Sequence, residues 1–307
     1  MPSTGSDEVD CAIIVIAYNS ADHIERFLDS IPAAAGDLRV RCLVVDNQSH
    51  DGTRELVRRR PDVTLVDSGG NLGYSGGINV GRALAGRCSS LLIVNPDLDL
   101  EAGAIAKLYA ALDAPTVGVT VPMMRGRDDE VLPTLRREPT ILRALGEALF
   151  GDRFPSRPAW LSETVRDPAA YREARDAEWA TGAVLCVSSE CDAAVGDWDE
   201  GRFFLYSEET DFAVRVRNLG YRVRYVPDAH VRHDDGGSGR PATLDALASV
   251  NRIRYYEKYH GRLAASMFRA VLALKHVLRY WDPDDRLALR HVCRRSSWVD
   301  LPGARAG

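Results

Sequence analysis

Four short apolar runs, at residues 11–17, 40–45, 63–66 and 91–94, each stop abruptly at polar residues or glycines. Continuous runs rich in β-branched residues, such as CAIIVIA at 11–17, read as strands buried on both faces, the pattern of parallel strands covered by helices. Between them Ile24, Phe27, Leu28 and Ile31 recur at helical spacing, giving one apolar stripe. Asp51-Gly52-Thr53 opens a second helical segment carrying Leu56 and Val57; 69–77 reads as a glycine-rich loop and 78–85 as a helix. This β-α-β-α-β-α-β order predicts an α/β fold with a mostly parallel, Rossmann-like sheet and right-handed crossovers. Further strands are expected at 183–187 and at 222–226, the latter followed by Pro227. Residues 123–178, charged and with several prolines, read as loops and short helices beside a cleft.

Composition narrows the function classes. A chain of 307 residues, 45% of them hydrophobic, is ample for one large domain with an appendage. The net charge of −5 argues against a basic nucleic-acid binder. No apolar run approaches the roughly 18–20 residues of a membrane span, and the polar, acidic start does not read as a secretory signal. Six cysteines lie scattered without a C-x-x-C pair, which fits reduced, structural thiols and a cytoplasmic setting. The charge is uneven: residues 262–295 carry eight Lys/Arg against three Asp, leaving about −10 on the remainder. Beyond about Thr243 the pattern is helical, and Met267, Val271, Leu274 and Leu278 share one face. That face either packs on the domain as a cap or docks peripherally on an anionic membrane.

In open α/β sheets, ligands bind beyond the carboxyl ends of the strands. Those ends carry Tyr18-Asn19, Asp46-Asn47, Gly69-Gly70-Asn71 and Asn95-Pro96-Asp97-Leu98-Asp99. Four consecutive polar ends on one edge point to a binding site. The glycines at 69–77 let backbone approach a ligand just before a helix N-terminus, which attracts anions. No Gly-Lys pair or G-x-G-x-x-G occurs, which argues against a P-loop or a dinucleotide dehydrogenase. Asp97 and Asp99 have the spacing to hold Mg²⁺ or Mn²⁺ on a diphosphate, although such pairs are also common solvated turns. Glu208, Glu209 and Asp211 follow the aromatic stretch FFLY. Carboxyls beside apolar surface can serve as a general base, or simply favour a helix dipole. His233, followed by Asp234, Asp235, Gly236 and Gly237, reads as a metal ligand, a phosphate contact or a solvated histidine.

Taken in order, six strings resemble family 2 glycosyltransferases of the GT-A fold, the rhamnosyltransferase-like branch above all. They are IAYN at 16–19, VVDNQSHDGT at 44–53, NLGYSGGIN at 71–79, VNPD at 94–97, WDEGRFFLYSEETD at 198–211 and AHVRH at 229–233. The resemblance implies a GT-A domain over 1–240, with a nucleotide half at about 10–100 and an acceptor half at about 101–240. A C-terminal helical extension would fill 241–307. It implies inverting transfer of one sugar from a nucleotide diphosphate sugar, dTDP-rhamnose first and UDP- or GDP-sugars as competitors. The acceptor would be a lipid-linked or small-molecule hydroxyl. By the same resemblance Ala17, Tyr18, Asn19, Asp46, Asn47, Gly73, Asn79, Asn95 and Asp97 form the nucleotide-sugar site. Asp97, Asp99 and His233 hold Mg²⁺ or Mn²⁺, and Trp179, Thr181 and Gly182 meet the sugar or acceptor. The family's Asp-x-Asp begins here with Asn95. Its Glu-Asp pair reads Glu208-Glu209, which puts Glu209 in the base position with Glu208 and Asp211 as fallbacks. The Gln-x-x-Arg-Trp string of processive synthases is absent, which favours single-sugar transfer. Those two departures also define an alternative, a non-catalytic nucleotide-sugar-binding protein. Monomer and homodimer are both left open.

Overall fold

The first apolar run becomes β1 (Val9–Ala17), whose alternate side chains feed two separate hydrophobic layers. Ala12, Ile14 and Ile16 pack on one face of the sheet, and Cys11, Ile13, Val15 and Ala17 on the other, so both faces must be covered. The computed structural model describes residues 8–151, 153–233 and 241–303. After β1 come α1 (Ile24–Ala35), β2 (Val40–Asp46), α2 (Thr53–Arg58), β3 (Val63–Asp67), α3 (Gly73–Leu84), β4 (Cys88–Val94) and β5 (Leu98–Leu100). The middle of the chain forms α4 (Ala104–Ala110), β6 (Val117–Arg125), β7 (Leu135–Arg136), α5 (Ile141–Phe150), β8 (Arg175–Ala177) and β9 (Trp179–Ala180). Then follow β10 (Val184–Ser188), α6 (Ser189–Val195), α7 (Glu208–Asn218), β11 (Arg222–His233), α8 (Ala242–Tyr259), α9 (Arg262–Val277) and α10 (Pro283–Cys293).

The main sheet has the order β3-β2-β1-β4-β10-β6-β11-β5, with β8 also on β11, and β7 pairs with β9 separately. The first four neighbours are parallel. Beyond them β10 is antiparallel to both β4 and β6, while β6 and β11 are parallel. The sheet is therefore parallel through its first half and mixed beyond it, with helices on both faces.

Four differences from the sequence expectations matter for the site. The glycine-rich stretch is not all loop, because α3 already begins at Gly73. A Cβ on Gly81 would lie 2.3 Å from Ile14 Cγ2, and one on Gly77 3.0 Å from Ile16 Cγ2. These glycines let α3 press onto β1, so their role is close helix–sheet packing. Residues 123–178 hold more regular structure than their composition suggests. They include the end of β6 and α5, whose N-cap Thr140 accepts from Arg143 N at 3.2 Å. β11 runs through Pro227 as far as His233, with its register shifting between Val226 and His230. Such an irregularity is where a strand tolerates proline.

The fourth difference concerns α9. Its buried stripe is Ala265, Phe268, Leu272 and His276, not the face of Met267, Val271, Leu274 and Leu278. Phe268 stacks on Tyr256 of α8, and His276 bonds Ser249 of α8 at 3.0 Å and Asp285 of α10 at 2.5 Å. Aromatic stacking and a buried polar triad thus set the rotation of the helix. Met267 and Leu274 are left exposed. Among the described residues no helix is long and apolar enough to cross a membrane.

Candidate active site

β1, β2 and β4 end side by side, and residues just past them line a cleft of about 610 Å³. Tyr18 and Asn19 come from the end of β1, Asn47 from β2, Gly73 and Tyr74 from the start of α3, and Asn95 and Asp97 from beyond β4. The two strand-end loops are cross-tied. Asn19, at φ 50°, donates its N–H to Ser49 Oγ at 2.9 Å and accepts from His50 N at 2.8 Å. Asp51 and Thr53 accept from Ala21 N and Ser20 N at 3.0 and 2.8 Å. The Asp51-Gly52-Thr53 string therefore does more than open α2: it fixes the rim of the cleft.

Not every expected nucleotide residue reaches this cleft. Ala17 is buried, with its carbonyl accepting from Asn47 N at 2.8 Å. Asp46 is 0% exposed and lies behind the rim, accepting from Ser49 N at 3.3 Å with Arg54 Nη1 at 3.4 Å. Asn47 does reach it, and its Nδ2 donates to Gly73 O at 2.8 Å. Asn79 sits further along α3. Its amide donates to Trp198 O and accepts from Trp198 N, both at 2.9 Å, which secures the helix to the following segment rather than facing the cleft.

Beyond β4, Asp97 Oδ2 meets His233 Nε2 at 3.3 Å, although 136 positions separate them in the chain. The register of β11 on β5, His233 opposite Leu98, produces this approach. Asp97 Oδ1 is buried without a hydrogen-bond partner. Asp99 does not line the cleft; it stands opposite Arg232 in the same ladder. Among the described residues no third His, Cys, Asp or Glu completes a metal-binding group. Two protein donors, one with an oxygen lacking a partner, still suit a hard cation that takes its remaining ligands from substrate phosphates and water. Residues 234–237, which follow His233, lie outside the described residues.

Across the cleft, Tyr206 and Ser207 both adopt positive φ, 70° and 69°, immediately before α7. Two successive non-glycine residues in the left-handed region are costly, and such strain persists only where surrounding structure enforces it. The turn delivers Glu208 and Glu209 to the first turn of α7. A helix N-terminus lowers a carboxyl pKa by a modest amount, whereas burial acts in the opposite sense. Here burial wins. Glu208 is held well above its ordinary value by desolvation and then by the neighbouring Glu209, while Glu209 is pushed up to about 7, mainly by desolvation. Part of Glu209 reaches the surface, but its Oε2 is enclosed and lacks a partner.

Glu209 also lies beside the expected acceptor segment. A Cβ on Gly182 would be 3.3 Å from Glu209 Cβ, and Trp179 shares with Glu209 a cavity of about 140 Å³. Thr181 is tied by its N–H to Thr134 O at 3.1 Å. Asp211, a fallback base in the sequence, is fully engaged elsewhere. It holds Arg215 Nε at 2.9 Å, Lys258 Nζ at 2.6 Å and Tyr259 OH at 2.7 Å, bracing α7 against α8.

Two residues without an assigned role in the sequence emerge here. Tyr74 lines the cleft and donates its hydroxyl to Gly182 O at 2.9 Å, joining the cleft to the segment beside Glu209. Its position directly after Gly73 was the available signal. Asn251, fully buried in α8, donates Nδ2 to Leu205 O at 2.7 Å and Tyr206 O at 3.2 Å. Nothing in the pattern of α8 marks it. Asn251 is a positioning residue for the strained turn. Asn251→Ala is expected to lower kcat about tenfold, by loss of about 1–2 kcal/mol of buried hydrogen bonding at the turn. Donor KM should stay within about twofold, since uniform binding is untouched. Steady-state kinetics showing a matching rise in KM would contradict this.

A strand-end cleft on a sheet of this order, joined through Tyr74 to the segment beside Glu209, defines a GT-A glycosyltransferase. The chain belongs to glycosyl transferase family 2, whose model matches residues 12–168. It is 31% identical over 298 residues to the N-acetylglucosaminyl-diphospho-decaprenol L-rhamnosyltransferase of Mycobacterium tuberculosis, covering 93% of both chains. It is 28% identical over 220 residues to the low-salt glycan biosynthesis hexosyltransferase Agl10 of Haloferax volcanii, covering 70% of this chain and 64% of that one. Among solved structures, GalNAc-T7 with UDP, GalNAc and Mn²⁺ superposes with a TM-score of 0.60 at 12% identity, over 96% of this chain and 56% of the other. The mannosyltransferase PcManGT of Pyrobaculum calidifontis, in complex with GDP-Man and Mn²⁺, gives 0.55 at 19%, over 98% and 77%. At these identities the structural likeness speaks to the fold.

Proposed function

We propose that this glycosyltransferase moves a single rhamnose, or another deoxyhexose, from a nucleotide diphosphate sugar to a hydroxyl of a lipid-linked acceptor, with inversion at the anomeric carbon. The observation that carries the reading is the linkage through Tyr74 of two groups: Asp97 with His233 at the cleft, and Glu209 beside Trp179 and Gly182. The named rhamnosyl transfer to a diphospho-decaprenol acceptor by the 31% identical relative supports the substrate class. dTDP-rhamnose is the first donor to test, with UDP- and GDP-sugars as alternatives. Cell-wall or polysaccharide synthesis is the corresponding setting.

Asp97 and His233 would hold Mg²⁺ or Mn²⁺, as the Mn²⁺ in both GT-A neighbours suggests; such an ion neutralises charge on the leaving diphosphate. Ionised Glu209 takes the proton of the acceptor hydroxyl. The acceptor oxygen forms its bond to the anomeric carbon as the bond from that carbon to the diphosphate oxygen breaks, and the nucleotide diphosphate departs with the electron pair. Burial and the neighbouring Glu209 hold the Glu208 carboxyl well above its ordinary range, which disfavours a second negative charge beside that proton transfer. In domain terms, residues to about 100 serve the nucleotide and those to 240 the acceptor. Helix α8 supports both, through Thr243 and Leu244 at the cleft and Asn251 at the turn.

The test is a thermal-shift series with dTDP-rhamnose, UDP-GlcNAc and GDP-mannose, each with and without Mn²⁺, followed by NMR of the product anomer. dTDP-rhamnose with Mn²⁺ should raise Tm most, by several degrees, as ligand linkage requires at saturating concentration. A larger shift with another sugar nucleotide would replace the donor, and a product of retained configuration would overturn the mechanism.

A further inference from the structure

Most large apolar side chains at the surface of this protein are gathered in one region. Among the described residues, twelve of the eighteen exposed ones fall at 142–160 or 263–281. On α9 they are Leu263, Met267, Leu274, Val277 and Leu278, which follow one another at helical spacing on the face opposite Phe268 and Leu272. α5 packs along α9 and leaves Leu142, Leu149 and Phe150 outward. At the far end the two helices share a groove of about 300 Å³ between Phe150 and Trp281, and Phe154 packs edge-on against Phe150 with centroids 5.8 Å apart. Trp281 is 73% exposed and Leu263 78%. An apolar patch on this scale is far more than scattered surface hydrophobes.

Charge says what covers it. α9 and the turn after it carry Arg262 and Arg279 and no acidic residue from 262 to 281, while Arg269 is turned to Val292 O of α10 and Lys275 is desolvated. Arg153 and Arg279 line the groove between the helices, with Asp282, which caps α10, and Asp285, which is held by His276. An apolar face with Arg153, Arg262 and Arg279 at its edges, its nearby aspartates engaged within the fold and Trp and Tyr at its rim, matches the interface of an anionic bilayer, where rings sit at headgroup depth and each basic residue near the surface adds attraction. A protein partner of matching shape would need no such bias in charge.

We propose that the α5–α9 face docks this protein on an anionic membrane surface. The geometry connects docking to chemistry. Arg143 in the first turn of α5 pairs with Glu178, next to Trp179, and Pro139 just before the helix lines the small cavity that holds Glu209. The face thus begins beside the proposed base, so an acceptor anchored in the bilayer would present its sugar end there. This extends the lipid-linked acceptor reading above, yet its test uses neither donor nor acceptor, so either can fail alone.

The test is co-sedimentation of the full chain with vesicles of phosphatidylglycerol and phosphatidylcholine, against vesicles of phosphatidylcholine alone. Wild type should bind the anionic vesicles and lose binding as salt rises. Met267→Glu/Leu274→Glu should bind at least tenfold more weakly with unchanged Tm, because both side chains are already exposed. Charge reversal by Arg262→Glu/Arg279→Glu should abolish the preference for anionic vesicles. Absent binding by wild type, or equal binding by the apolar variant, overturns the proposal. So does light scattering that shows a wild-type dimer split by Met267→Glu/Leu274→Glu without vesicle binding, which would assign the face to a second copy.

Discussion

Glu209→Gln is expected to lower kcat by roughly 10³-fold or more, within the range a positioned general base supplies, while nucleotide-sugar affinity stays within about twofold. Glutamine keeps the shape beside Gly182 and removes only the ability to take a proton. In the wild type, burial holds Glu209 near 7, so kcat should rise through neutral pH as the carboxylate forms. Stability must move the other way. An unfolded Glu209 ionises near 4.5, and the folded one near 7. The stabilisation relative to the unfolded chain is therefore complete below about 4.5 and lost as pH climbs to 7. That difference corresponds to on the order of 3 kcal/mol at alkaline pH. Glu209→Gln should accordingly melt several degrees higher than wild type at pH 8 and nearly equally at pH 4.5. One substitution that abolishes turnover yet stabilises the fold is the expected mark of a functional, not structural, buried carboxyl. Equal pH–rate profiles for the two proteins would remove Glu209 from the base role and leave Glu208 to be tested in the same way.

The parallel half of the sheet was legible because β1 advertises burial on both faces: no polar residue interrupts 11–17. β6 was not, because Gly118 and Pro122 are poor strand formers. Gly118 is there because a Cβ would come within 2.5 Å of Cys191 Sγ, a long-range constraint invisible locally. The site divides along the same line. Tyr18, Asn19 and Asp97 could be placed from strand ends alone, since topology puts those ends together. Glu208 and Glu209 needed their aromatic neighbours. Asn79 entered the expected site through the resemblance alone, and its bonds to Trp198, 119 positions away, were not legible in the sequence. Asn251 was wholly hidden, for the same reason of distance in sequence. The C-terminal stripe misled in an instructive way. Apolar periodicity identified the helix, but buried aromatic stacking and His276 decided which side faces inward.

The donor wall makes the second large prediction, and its sign depends on conditions. Asp97 places a negative carboxylate in the cleft assigned to a diphosphate, with His233 as its neighbour. Without a divalent cation, that charge repels the ligand, and Asp97→Asn should bind dTDP as tightly as wild type or several-fold more tightly. With Mn²⁺ the order reverses. In the proposed site the carboxylate would then be the principal anionic protein donor, and losing it should weaken dTDP binding by roughly a hundredfold, as removal of a charged ligand from a two-donor site implies. His233→Ala should cost less, because a neutral imidazole contributes no charge. Asn95 cannot compensate, being uncharged where the family pattern has an acid. The crossing of the two curves is the decisive feature, since a variant that merely damaged the fold would bind worse in both conditions. Calorimetric titration of dTDP in Mn²⁺ and in EDTA, for wild type and Asp97→Asn, reads it directly. An undiminished Mn²⁺ increment in the variant would mean that the ion is held elsewhere, and the pairing of Asp97 with His233 would then be a structural ion pair linking β11 to the end of β4.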